Sequence, residues 1–141
     1  MKYTTREESS KLINLGIDQN TADLVYVSNI YYPSVLPGVK YLDVKDKIIE
    51  KYDNDPDSAL PAWTTDSLLD ILPKKIKNDS GEFQLIIFPD VSTNMWVCMY
   101  DRIETHKNCL EAFGDPEYRK SIYKMVCWFL ENNIEKKKEG T

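Results

Sequence analysis

The chain holds one histidine, His106, between Thr105 and Lys107 in a stretch that reads as a surface turn. Any Ser-His-Asp or Cys-His catalyst would have to use it. The cysteines are Cys98, Cys109 and Cys127, odd in number and without a CxxC pair. With a single histidine beside them, no zinc site of ordinary composition is expected. Asp53, Asp55 and Asp57 alternate as in a calcium loop. Such a loop needs glycine at its sixth position and glutamate at its twelfth, where this chain has Ser58 and Thr64. The stretch therefore reads as a solvated acidic loop. The five glycines form neither GxGxxG nor GxxxxGK, so no phosphate loop is expected. No catalytic residue, metal ligand or cofactor is assigned.

What remains is a set of rings near expected loops: Tyr26, Tyr31, Tyr32, Tyr41 and Trp63. An exposed ring stacks on a base, worth about 1–3 kcal/mol each. Tyr31 and Tyr32 are adjacent and in a strand would face opposite ways. Arg102 offers a bidentate grip on phosphate or carboxylate. Trp63 opens the phrase WTTDSLLDILP, where Thr64 and Thr65 start a helix whose N-terminus would receive an anion. The competing reading makes Trp63 a fastener. With Thr64 as N-cap, Trp63 and Leu68 occupy the two positions of a hydrophobic staple. Tyr26, Tyr31, Tyr32, Trp63, Thr64, Thr65 and Arg102 are the candidate ligand-binding residues.

The elements that must position them follow from capping and periodicity. Thr5 and Glu8 form a capping box, Leu12, Ile13 and Leu15 an apolar face, and Gly16 a left-handed stop followed by Ile17. Residues 22–32 are rich in β-branched and aromatic types, which favours a strand, although their start also suits a helical turn. Residues 39–44 suggest a short strand and 46–52 a helical turn. A second helix is expected over 64–72, closed by Pro73. FQLIIF, residues 83–88, and MWVCMY, residues 95–100, read as paired strands. Met95, Val97 and Met99 share one face of the latter, and Trp96, Cys98 and Tyr100 the other. Both faces are apolar, so both are expected to be covered. Residues 109–113 read as a third strand or a short helix. Asp115, Pro116 and Glu117 introduce a final helix carrying Ile122, Met125, Val126 and Phe129 at helical spacing.

These features predict one α+β domain over residues 1–134, with 135–141 a polar tail. Its antiparallel sheet of three to five strands would pack on the C-terminal helix, with two further short helices. A net charge of -5 disfavours bulk nucleic-acid binding. Lys74, Lys75 and Lys77, and Lys136 to Lys138, read as a solvated edge and a tail. No segment approaches a membrane span, the N-terminus lacks a leader's apolar stretch, and the thiols suit a reducing cytoplasm.

In TTREESSKLINLGI, TADLVY, PAWTTDSLLDILP and MVCWFLENN the chain resembles a family of small uncharacterised proteins of phages and mobile elements of gut bacteria. The likeness runs the length of the chain, apart from a long segment between Tyr100 and Glu117. It implies a dispensable protein acting in the cytoplasm of a bacterial host. It also suggests a counter-defence role, sequestering a nucleotide-derived immune signal without turning it over. Such a pocket often lies at a homo-oligomer interface. Two alternatives stand beside this reading: a protein-interaction module that inhibits a host protein, and a small carboxylate-dependent hydrolase or transferase.

Overall fold

The computed structural model describes residues 2–28, 34–37 as backbone, 39–104 and 108–132. The chain divides into two compact units, Met1–Ser67 and Leu68–Thr141. Both mix helices with antiparallel strands, so the fold class is α+β as expected.

The first unit opens with α1, Arg6–Asn14. Its capping box forms as the sequence predicts: the Glu8 amide donates to Thr5 Oγ1 at 3.1 Å, and the Thr5 amide to Glu8 Oε1 at 2.9 Å. Gly16 ends the helix at φ +88°, and the Ile17 amide returns to the Leu12 carbonyl at 3.1 Å. Strands β1 (Leu24–Val27), β2 (Ser34–Pro37) and β3 (Ala59–Ala62) form a sheet in the order β2-β1-β3. The strand alternative for residues 22–32 thus holds at 24–27. A short 3-10 turn over Gln19–Thr21 precedes it, capped by the Asp18 side chain.

Residues 39–52 correct the sequence reading. In place of a strand and a separate turn they form one helix, α2, Tyr41–Lys51. Tyr41, Val44, Ile48, Ile49 and Tyr52 recur at helical spacing and close one face over Val25 and Ala59. The β-branched and aromatic residue types suggested a strand, but the period of burial is that of a helix. Strand β3 carried no signal of its own. ALPA is short and contains proline, which an edge strand tolerates where the missing N–H faces away from its neighbour.

The second unit is a four-stranded antiparallel sheet in sequence order: β4 (Lys75–Asn78), β5 (Gly81–Asp90), β6 (Met95–Arg102) and β7 (Glu111–Asp115). Helix α4, Tyr118–Asn132, packs on β6 and β7. Asp115 turns the chain into it by accepting from the Glu117 amide at 2.8 Å, and the helix begins two residues beyond the expected Pro116 start. Two ring pairs fix which sheet face meets α4. Trp96 meets Tyr118 edge-to-face at 4.9 Å, and Tyr100 lies 6.2 Å from Trp128. Trp96, Cys98 and Tyr100 therefore face the helix, and Met95, Val97 and Met99 face away.

Between the units' defining elements runs α3, Thr65–Ile71, which stops before Pro73 as the sequence predicts. Trp63 and Leu68, the expected staple pair, are both fully buried.

Candidate functional site

The phrase around Trp63 is built as a fastener. Its ring is 0% exposed, and its indole N–H donates to Thr21 Oγ1 at 3.0 Å. Its backbone is clasped by the N-terminal segment. The Thr4 amide donates to the Trp63 carbonyl at 2.9 Å, and the Trp63 amide donates to Thr4 Oγ1 at 3.1 Å. Tyr3 and Thr64 complete the bridge. Thr4 is itself buried and shares a 2.8 Å hydrogen bond with the Ser9 hydroxyl.

Tyr26 joins the same cluster. It is buried, and its hydroxyl donates to the Thr4 carbonyl at 2.6 Å. Tyr3 meets its ring at 5.9 Å, edge-on, and the Arg6 guanidinium lies over it at 4.9 Å. The structure thus brings Tyr26, Trp63 and Thr64 together through Thr4 and its neighbours. A ring enclosed in this way presents no open face to a base.

The helix start beside Trp63 is also occupied, by the chain's own carboxylate. Asp23 Oδ1 accepts from the Thr64 amide at 2.9 Å and from the Ser67 hydroxyl at 2.9 Å, and Oδ2 accepts from the Thr64 hydroxyl. Thr64 Oγ1 caps the helix, accepting from the Ser67 amide at 3.3 Å. Asp23 therefore stands where a ligand's anionic group was expected, and Thr65 next to it is partly exposed. Sequence reasoning missed Asp23 because its role depends on a partner about forty residues away.

Arg102 lies in the second unit. Its guanidinium donates to the Ser80 carbonyl at 2.7 Å and stacks over Phe83 at 5.2 Å. It closes the β4–β5 turn, where Gly81 sits at φ +142° and an added Cβ would lie 2.7 Å from Arg102 Nη1. Tyr31 and Tyr32 lie outside the described residues, as does His106. Tyr41, the remaining ring of the aromatic set, belongs to the α2 core, and burial raises its phenol pKa, with Asp46 adding to the rise.

The remaining chemistry-bearing groups are settled by their surroundings. Burial pushes the Cys98 thiol up to about 12. Cys109 is exposed, and Cys127 is buried. Asp55 Oδ1 accepts from the Asp57 amide at 2.9 Å, so the acidic loop uses one of its carboxylates to shape its own turn. Among the described residues no group of three His, Cys, Asp or Glu could hold a metal ion, and no helix is long and apolar enough to cross a membrane.

The surface left uncommitted is elsewhere, on the second unit. The expectation that both faces of MWVCMY are covered meets a correction here. The face turned away from α4 carries Ile86, Phe88, Met95, Val97 and Met99. Phe88 is 38% exposed and Met95 37%, and the others are partly exposed. Among the described residues of the second unit there is one long helix for a sheet with two apolar faces. Counting covering elements against apolar faces is the signal that would have found this surface. At the hairpin tip Val91 is 90% exposed, and Tyr118 beside Trp96 is 39% exposed.

The β7 edge is closed to strand addition by side chains. The Ala112 amide donates to Glu111 Oε1 at 3.0 Å, and Lys124 Nζ donates to the Gly114 carbonyl at 3.0 Å. On the opposite edge β4 is four residues long and carries Lys75 and Lys77, both ion-paired with Glu82. Comparison with protein-family models, with curated proteins and with solved structures returned no match.

Proposed function

We propose that this chain is a non-enzymatic binding protein whose partner is another protein, engaged through the uncovered sheet face of the second unit and its hairpin tip. The observation that carries the reading is the exposure of Phe88 and Met95 on one sheet face and of Val91 at the hairpin tip, beside the partly exposed strand residues. Phe88 and Met95 are diagonal neighbours on one face of the β5–β6 ladder, across the pairs Phe88–Val97 and Asp90–Met95. Contiguous apolar patches of a few hundred Å² typically mark contact sites. Methionine and aromatic side chains are enriched in such contacts.

The blocked β7 edge favours side-chain docking on the face over β-strand addition. The counter-defence setting implied by the family resemblance belongs to this proposal, with a host protein as the target. Sequestration of a nucleotide-like signal loses support from Tyr26 and Trp63, whose rings are enclosed, and from Arg102, which closes a turn.

The test is affinity capture from bacterial lysate with the wild type and with Val91→Asp, followed by titration of the captured protein in purified form. The expected result is one stoichiometric partner whose affinity falls about tenfold or more in the variant, at unchanged melting temperature. An intact small molecule retained by both proteins in native mass spectrometry would instead establish sequestration. Chemical change of an added ligand would establish an enzyme.

A further inference from the structure

We propose that the β5–β6 hairpin is an insertion wedge and that its partner is a protein with a concave apolar cleft, carrying a cation on the wall that meets Asp90. The inference rests on the reading of this region as a protein contact surface and names the shape and chemistry of what receives it.

The hairpin is apolar on both sides at its end. Directly paired residues share a face, so Phe88 lies with Val97, and Met95 with Asp90, on the side turned away from α4. Pro89 pairs with Trp96 on the α4 side, where Trp96 meets Tyr118 edge-to-face at 4.9 Å. Phe88 and Met95 are exposed on the first side, Pro89 and Tyr118 on the second, and Val91 at the tip between them. A flat partner covers one of these sides and leaves the other in water. A cleft buries both.

The end of the hairpin is also long and stiff. Strand β4 pairs with β5 only as far as Gln84. Residues 86–90 run on beyond that pairing, about 16 Å of strand. Pro89 removes a donor from this edge, which disfavours strand addition and leaves side-chain burial as the mode of contact. The ladder continues to the pair Asp90–Met95. Asp90 Oδ1 accepts from the Ser92 amide at 3.2 Å and from the Ser92 hydroxyl at 2.8 Å, and Asn94 closes the turn at φ +56°. A wedge already held in shape loses little entropy on insertion.

Charge selects the lining. Between Leu85 and Tyr100 the sequence holds one charged residue, Asp90. On the α4 side Asp115 is ion-paired with Lys124 at 3.0 Å, and Lys120 lies near it. Burying Asp90 against apolar walls alone is costly, so the wall that faces it supplies a positive charge. The same carboxylate, with the net charge of -5, disfavours insertion into an anionic lipid surface.

The protein captured by the wild type, in purified form, is the probe. A benzophenone amino acid placed at Phe88 and, separately, at Tyr118 should crosslink to it from both sides. The crosslinked peptides should map to opposing walls of one concavity. Phe88→Glu, Tyr118→Glu and Pro89→Glu should each weaken binding about tenfold or more at unchanged melting temperature. Pro89→Glu keeps the second side testable if Tyr118→Glu disturbs α4. Asp90→Asn keeps the Oδ1 acceptor and should weaken binding about threefold or more, with a flatter salt dependence. Unchanged affinity in Asp90→Asn overturns the cation. Crosslinks and losses confined to the Phe88 side overturn the cleft and leave the proposed function standing. Indifference of both sides, or no captured protein, overturns both. Binding to phosphatidylglycerol vesicles that is lost in Val91→Asp overturns the cleft in favour of a membrane surface.

Discussion

The two units of this chain use aromatic and hydroxyl side chains in opposite ways. In the first, rings and hydroxyls are joined inward: Tyr26, Trp63, Thr4, Ser9, Thr21 and Thr64 satisfy one another, and Asp23 completes the helix start. In the second, the covered side of the sheet holds Trp96, Cys98 and Tyr100 under α4, while the other side keeps apolar residues open. A ring whose polar atom is hydrogen-bonded inside a core is a structural part, however suggestive its neighbours in sequence. An apolar strand face left partly exposed is the stronger indication of contact.

The comparison breaks most decisively at Trp63. Trp63→Ala removes a fully buried ring and leaves the Thr21 hydroxyl without its donor. The expected cost is about 3–5 kcal/mol, a large part of a domain's stability. Hydrogen exchange read by mass spectrometry should show loss of protection across β1 and β3, with the β5–β6 amides less affected. Equal loss in both units would mean that they unfold as one body.

Asp23→Ala is expected to be the next largest effect, about 1–3 kcal/mol, because the Thr64 amide and two hydroxyls lose a charged acceptor. Denaturant melting should place it between Trp63→Ala and Trp63→Phe, the latter keeping most of the ring but losing the hydrogen bond to Thr21.

Alkaline titration sharpens the contrast in the second unit. Burial raises the Cys98 thiol from 9.0 to about 12. Burial also raises the Tyr100 phenol, to which Cys98 adds. The folded state then holds protons that the unfolded chain releases. Their contribution to stability is intact below pH 9 and declines as pH rises towards 12. Melting temperature measured across that interval should fall, and less steeply in Cys98→Ala if that variant folds. At neutral pH a thiol reagent should label Cys109 well before Cys98.

The smallest effect on stability belongs to Val91→Asp, expected within about 0.5 kcal/mol because the residue lies in an exposed turn. Its large effect should be on partner capture alone. A clear drop in melting temperature would show that the tip is part of the fold.

Much of this architecture was legible locally. The capping box of Thr5 and Glu8, the Gly16 stop, the Thr64 cap and the β5–β6 pair all follow from neighbouring residues. Helix α2 was divided into a strand and a turn because Tyr41 and Val44 have strand-favouring side chains, although their spacing with Ile48 is helical. The candidate site was less legible, for a related reason. Thr4, Asp23 and Thr64 are distant in sequence, and only their assembly shows that the polar groups around Trp63 satisfy one another. The open sheet face was readable as alternation in MWVCMY, but not as exposure, which depends on which side α4 takes.

The bond between Trp63 and Thr4 spans 59 residues. During synthesis the Thr4 amide therefore lacks its acceptor until the Pro-Ala-Trp phrase has left the ribosome. Helix α1 can form early from its own caps, but the clasp that joins it to the rest of its unit must wait for nearly half the chain. At about 5–20 residues per second that delay is a matter of seconds. During it, Tyr26 and the other rings of this cluster are open to contacts that the finished fold excludes.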